Sequence, residues 1–251
     1  MKSRKFTLTA LASTIVIGGL LLAGCSTTVS TPSVESESST TSSIELTTGV
    51  VAAEVLAANA NATTVNDDEW SLDGAVAVTL TGSSASAAGE GVSVTGNTVT
   101  ITAGGTADED VVALVLDGAN ISNSSSAAIA VLNAEDVVVS LSGSNSVSST
   151  GADEEANAAL FSDADFTISG DGSLTVTSTQ NDGITSHDDL TILSGDITVI
   201  AADDGLRGKD SLTIKDGTVS VDAGGDAVKS DEDEDETSGY VHIAGGTIDL
   251  V

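Results

Sequence analysis

The feature that most limits how this chain can fold is a gap-free internal repeat near its C-terminus. NDGITSHDDLTILSGDITV at 181–199 aligns on ADDGLRGKDSLTIKDGTVSV at 202–221, so Asp182, Asp204 and Asp226 recur every 22 residues, as do Ile192 and Ile214. A third copy at 224–250 carries seven extra residues in or beside the acidic run 231–236, and NAALFSDADFTISGDGSLTV at 157–176 is an earlier copy. IAVLNAEDVVVSLSG at 129–143 is a fainter one. Three short runs of Val, Ile and Thr per repeat, with no helical period, predict an all-β parallel β-helix (β-solenoid) of about 22 residues per coil, each coil adding one rung to several parallel sheets. Leu190, Ile192, Ile197 and Val199 alternate and are expected to point inward, as are Leu212, Ile214, Val219 and Val221 one coil later. Only five aromatics stand among 251 residues, which suits a narrow coil; Phe161 and Phe166 are expected in its core or cap.

Upstream, AVAVTL at 75–80, VSVTGNTVTITA at 92–103, VVALVLDG at 111–118 and VVVSLSG at 137–143 read as further strands. The calcium-binding nonapeptide roll, a rival solenoid, needs a tandem GGxGxDxUx array that this chain lacks.

The N-terminus reads as a targeting segment. Lys2, Arg4 and Lys5 precede an apolar stretch through Leu21, and Leu22-Ala23-Gly24-Cys25 resembles a bacterial lipobox. That resemblance implies removal of residues 1–24, lipidation of Cys25 and extracytoplasmic anchoring to the cell membrane; an uncleaved signal anchor is the alternative, with an apolar run too short for a span. The chain is then left with no free thiol. Residues 25–65 begin as a Ser/Thr-rich tether, 49–65 being either short helix or more linker, and the folded domain is expected at 66–251.

Charge excludes one class of partner. With 38 acidic and seven basic residues the formal charge is −31, and loss of the leader leaves only Arg207, Lys209, Lys215 and Lys229 as cations. Such a charge would repel a phosphate backbone, and no long Lys/Arg run is present to build a segregated basic face, so nucleic acid is not an expected partner. The domain is expected to be monomeric.

The coils at 157–176, 181–195, 202–226 and 239–248, in order, resemble the bacterial carbohydrate-binding domain family of right-handed parallel β-helices related in architecture to pectate lyases. A weaker likeness begins near residue 70. The resemblance implies a secreted or anchored protein that binds calcium and recognises acidic polysaccharide such as polygalacturonate. Two departures stand out: Asp226-Ala227 replaces Asp-Gly, and the 231–236 insert is unusually acidic. The chain also stops directly after a strand-like run, so further coils or a cap are expected beyond Val251.

Rungs of a parallel solenoid lie about 4.7–4.9 Å apart, so Asp182, Asp204 and Asp226 should form a row of carboxylates that repel unless a cation offsets them. Calcium takes six to eight oxygens at about 2.3–2.6 Å and suits that role, with Asn181 and Asp203 completing the shell. Asp188 and Asp210 form a second pair, with Asp231 near their next rung. The plain alternative is that the Asp-Gly pairs are turns, with Gly at positive φ. The acidic insert is either a metal loop or a solvated surface.

Arg207 and Lys229 are also 22 apart and should stack beside the Asp row with Thr185, while Lys209 and His187 form a neighbouring column. Arg207, Lys209 and Lys229 are the candidate contacts for a uronate carboxylate. The alternative role for these cations is neutralisation of the Asp row without metal. His187 and His242 are expected at the surface. Three functions remain open: a non-catalytic module for acidic, pectin-like polysaccharide; a calcium-dependent lyase using Lys229 or Arg207 as base; and a calcium-rigidified adhesin. No catalytic residue is assigned, because Lys229 among carboxylates should stay protonated. Neutral glucan fits less well, since only Trp70 and Tyr240 could serve as exposed aromatic platforms.

Overall fold

In the computed structural model, residues 52–59, 64–69, 76–79, 85–88, 92–95, 101–104 and 111–251 are described. The leader 1–24, Cys25, the tether as far as residue 51, and Trp70 lie outside them. The described strands form three parallel sheets. An eight-stranded sheet runs from Val76–Thr79 to Tyr240–Ile243, a seven-stranded one from Ala85–Ala88 to Val228–Lys229, and a six-stranded one from Asn120–Asn123 to Thr247–Leu250. One coil shows the order: Asp165–Gly170 in the eight-stranded sheet, Ser173–Ser178 in the six-stranded, Asp182–Ser186 in the seven-stranded, then Asp189–Ile192 one rung on. The parallel β-solenoid expected from the repeat is therefore present, with about six turns of about 25 residues.

The coil length corrects the expected 22. Phe166, Leu190, Leu212 and Val241 occupy one column, at steps of 24, 22 and 29 residues. Hydrogen bonds between rungs fix the strands but not the turns, so turn length varies and the 22-residue step holds only locally, as in the two most regular coils.

The core consists of apolar ladders. Leu114, Val139, Ile168, Ile192 and Ile214 stack along the eight-stranded sheet, Val147, Val176, Val199 and Val221 along the six-stranded, and Ile129, Leu160, Ile184 and Leu206 along the seven-stranded. All are buried, including every position expected to point inward. Asn145 breaks one ladder above Leu174, yet its amide is satisfied by Ala119 N–H and the carbonyls of Ser142 and Ser173, as a buried polar group requires. Phe166 joins this core. Phe161 instead points outward, into a small separate cluster with Ala127, Ala130, Ala156 and Ala158. Gly195 and Gly217 stack at the turn into the six-stranded sheet with φ of 110° and 104°, a conformation open to glycine and strained for other residues.

The outer face of the eight-stranded sheet is covered by the chain's own N-terminal part. Within 49–65, left open as short helix or linker, the described residues Ala52–Ala58 form a helix. Beyond it Asn59 Nδ2 donates to Asp189 Oδ1 (3.2 Å) and Tyr240 Oη (3.3 Å), Val65 packs on Ala113 and Val138, and Ser169 Oγ donates to Asp67 Oδ1 at 2.5 Å. Packing on the solenoid thus begins before Asn66.

Candidate functional site

The Asp row stitches one rung to the next. Asp182 Oδ1 accepts the backbone N–H of Asp204 at 3.1 Å, and Asp204 Oδ1 accepts that of Asp226 at 2.8 Å. Asp182 Oδ2 also accepts from Thr185 Oγ1 (3.0 Å) and Asn157 Nδ2 (3.1 Å). Both Asp182 and Asp204 are buried. The following glycines are not left-handed turn residues. A Cβ on Gly183 would stand 2.2 Å from Val199 Cγ1 and one on Gly205 2.2 Å from Val221 Cγ1, so glycine is there because the core ladder passes directly beneath.

Three carboxylates converge: one oxygen each from Asp182, Asp203 and Asp204 lie within 4.8 Å of one another. Burial pushes the Asp182 carboxyl up, the charges of Asp204 and Asp203 add to this, and the hydrogen bonds from Thr185 and from the Asp204 N–H act against it. A Cβ on Gly225 would lie 2.6 Å from Asp204 Oδ1 and 2.7 Å from Asp203 Oδ1, so glycine keeps a cradle open beside both. Ligand oxygens across one calcium ion are at most about 5 Å apart, so this hard-oxygen set fits calcium. Asp226 is exposed on the next rung and outside the trio. Asn181 uses its Nδ2 to hold the carbonyl of Asp153 at 2.8 Å.

Thr185, Arg207 and Lys229 share one column of the seven-stranded sheet, as their spacing predicts. Lys229 Nζ is 2.7 Å from Asp204 Oδ2 and 3.9 Å from Asp231 Oδ2. Arg207 grips Asp231 through Nε (3.2 Å) and Nη2 (3.0 and 3.1 Å). Lys209 pairs with Glu232 at 2.7 Å and with Asp210 at 3.8 Å. The hydrogen bond that Lys229 donates to Asp204 raises its amine above the usual range, and the one that Lys209 donates to Glu232 does the same there. The acidic insert thus folds back, and its first two residues become counter-ions to the basic column.

Asp188 and Asp210 do stack, through Asp210 N to Asp188 O at 3.1 Å. The Asp188 carboxyl is pushed up to about 6 by burial, then by the charges of Asp165, Asp210 and Asp163; burial likewise raises Asp210. Asp231 bonds its backbone N–H to Lys209 O on that side, but its carboxylate turns to Arg207. His187 is partly exposed, with Nδ1 2.8 Å from Asp163 Oδ1 and its ring edge-on to Phe161 at 4.7 Å. His242, expected at the surface, has a buried Nδ1.

A second Asp column was missed. Asp136, Asp165 and Asp189 align on the eight-stranded sheet, all buried. Asp165 Oδ1 accepts the N–H of Asp189 at 3.1 Å, and Asp189 Oδ1 accepts from Ser211 Oγ. Burial lifts the Asp189 carboxyl to about 6. Its signal was an Asp directly before the first inward apolar residue in three successive coils: Asp136-Val137, Asp165-Phe166 and Asp189-Leu190.

The carbohydrate-binding domain-containing protein family matches residues 91–251. A carbohydrate-binding domain-containing protein of Acetivibrio thermocellus is 49% identical over 146 residues, covering 55% of this chain and 51% of that protein. The chain thus spans about half the length of this relative. Among solved structures, a gadolinium derivative of the polysaccharide lyase-like protein from C. thermocellum superposes with a TM-score of 0.58 at 35% identity, covering 68% of this chain and 71% of that one.

Proposed function

The chain belongs to the carbohydrate-binding domain family and has a polysaccharide lyase-like fold, and from that premise we propose that it is a non-catalytic, lipid-anchored module that holds acidic, polygalacturonate-like polysaccharide at the bacterial surface. The observation that carries this reading is the meeting of Asp182, Asp203 and Asp204, the last two flanking Gly225, beside the basic column of Arg207 and Lys229. Calcium, when bound, would supply positive charge and open coordination positions for a uronate carboxylate. Asp182, Asp203 and Asp204 would hold it, with Asn181 and Asp226 at the margin and Asp188 and Asp210 as a separate pair. Arg207, Lys229 and Lys209 are each paired with a carboxylate, and they are the N–H donors that a uronate carboxylate would compete for on a strongly acidic protein. The gadolinium derivative of the lyase-like relative is consistent with such a site, since lanthanide and calcium ions both favour oxygen ligands. Attachment rests on Cys25 and the 25–51 tether.

The decisive experiment is metal analysis and polygalacturonate retention before and after chelation. Bound calcium with chelator-sensitive retention supports the reading; metal-free protein that retains polymer equally well in chelator rejects it. The lyase alternative is favoured by the fold of the lyase-like neighbour. Against it stands the Lys229 amine, which Asp204 keeps protonated.

A further inference from the structure

A cavity of about 370 Å³ lies on a different face of the solenoid from the Asp182–Asp203–Asp204 trio, between the outer surface of the eight-stranded sheet and the N-terminal segment. Its floor is built by register: Thr191, Thr213 and His242 follow one another on adjacent strands, with Ser211 and Tyr240 in the neighbouring column. Leu56 and Asn59 close it from the N-terminal side, and Lys215 stands exposed at its rim.

Three features set its chemistry. The wall is rich in hydroxyls, as a polyhydroxylated ligand requires. His242 Nδ1 is buried and has no hydrogen-bond partner among the described residues, a state that costs free energy unless something fills it. Arg207, Lys209 and Lys229 all have carboxylate partners, whereas Lys215 forms no ion pair among the described residues. The size suits one or two sugar rings and falls at the small end of ligand sites.

We propose that this cavity is a second saccharide site that takes a single sugar-acid unit, its carboxylate on Lys215 and its hydroxyls on Thr191, Thr213 and His242. The choice of an acidic sugar rests on the reading of the protein as a polyuronate binder; the site itself rests on the cavity. Asn59, anchored on Asp189 and Tyr240, positions the N-terminal wall and so makes the site dependent on that segment.

The test is a titration of the full chain, labelled with ¹⁵N-histidine, with sodium galacturonate in chelator at fixed pH. The chain has two histidines, so loss of a signal in His242→Gln assigns it. A saturable shift of the His242 ring nitrogens is expected, weakened about tenfold or more by Lys215→Ala, retained in Lys215→Arg, and unaffected by Asp204→Asn. Lys215 is exposed, so its variants are expected to fold. Absence of the shift, an equal response to neutral galactose, or an unchanged affinity in Lys215→Ala would overturn the proposal. If calcium-dependent polygalacturonate retention fails while galacturonate still moves His242, the trio reading falls and the cavity stands; the reverse pattern rejects the cavity alone.

Discussion

Lys229 Nζ donates to Asp204 Oδ2 at 2.7 Å across 25 residues of chain. This places the strongest candidate base of the domain on a carboxylate of the proposed calcium trio, and the two roles oppose each other. An ammonium and a divalent cation compete for one carboxylate, and the hydrogen bond that draws Lys229 in also raises its pKa. Lys229→Met is therefore expected to raise calcium affinity several-fold while weakening polygalacturonate retention, as read by calorimetry and by retention on immobilised polymer. Weaker calcium binding in Lys229→Met would show that Lys229 supports the metal site rather than competing with it.

The same contact predicts no eliminative cleavage. Abstraction of the proton beside a uronate carboxylate needs a free base, and Lys229 is held protonated while Arg207 is locked on Asp231. Incubation with polygalacturonate and calcium at alkaline pH should give no rise in ultraviolet absorbance from unsaturated product. A steady rise abolished by Lys229→Ala would make the protein a lyase.

Buried carboxylates set the pH response of the metal-free domain. Asp188 and Asp189 are each pushed up to about 6, and Asp182 is raised as well. Between the unfolded value near 4 and the folded value near 6 the native state binds more protons than the unfolded chain, so stability falls as pH rises through this window. The lowered carboxyls, Glu69, Glu232 and Asp235, act in the opposite sense but below the unfolded values, outside that window. In chelator the melting temperature at pH 5 should exceed that at pH 7.5 by a few degrees. A higher value at pH 7.5 would mean these groups are relieved in some other way.

Periodicity made the fold readable, because identical rungs must repeat identical inward residues: Ile192 over Ile214 and Val199 over Val221 follow from counting alone. The Arg207–Lys229 column was readable for the same reason. Direction of side chains at irregular places was not. Asp231 was expected beside Asp188 and Asp210, but the insert breaks the count and its carboxylate goes to the nearest strong cation. Asn59 meets Asp189 across 130 residues, a contact that no repeat encodes.

Two glycines separate folding from metal binding. At Gly183 an added methyl would meet Val199 Cγ1 at 2.2 Å and the Gly205 carbonyl oxygen at 2.7 Å, inside a packed ladder. Gly183→Ala should therefore cost roughly 1–3 kcal/mol of stability, seen as a lower melting temperature in calcium and in chelator alike. At Gly225 the nearest atoms are instead Asp204 Oδ1 and Asp203 Oδ1, at 2.6 and 2.7 Å, and the residue lies in an exposed part of the last coil. Gly225→Ala should push those carboxylates apart, change the melting temperature in chelator little, and remove most of the rise that calcium gives the parent, since an ion that binds only the native state stabilises it by mass action. The discriminating measurement is the calcium-induced shift in melting temperature for each variant. A full shift in Gly225→Ala would mean that calcium, if bound, is held away from the Asp203–Asp204 cradle.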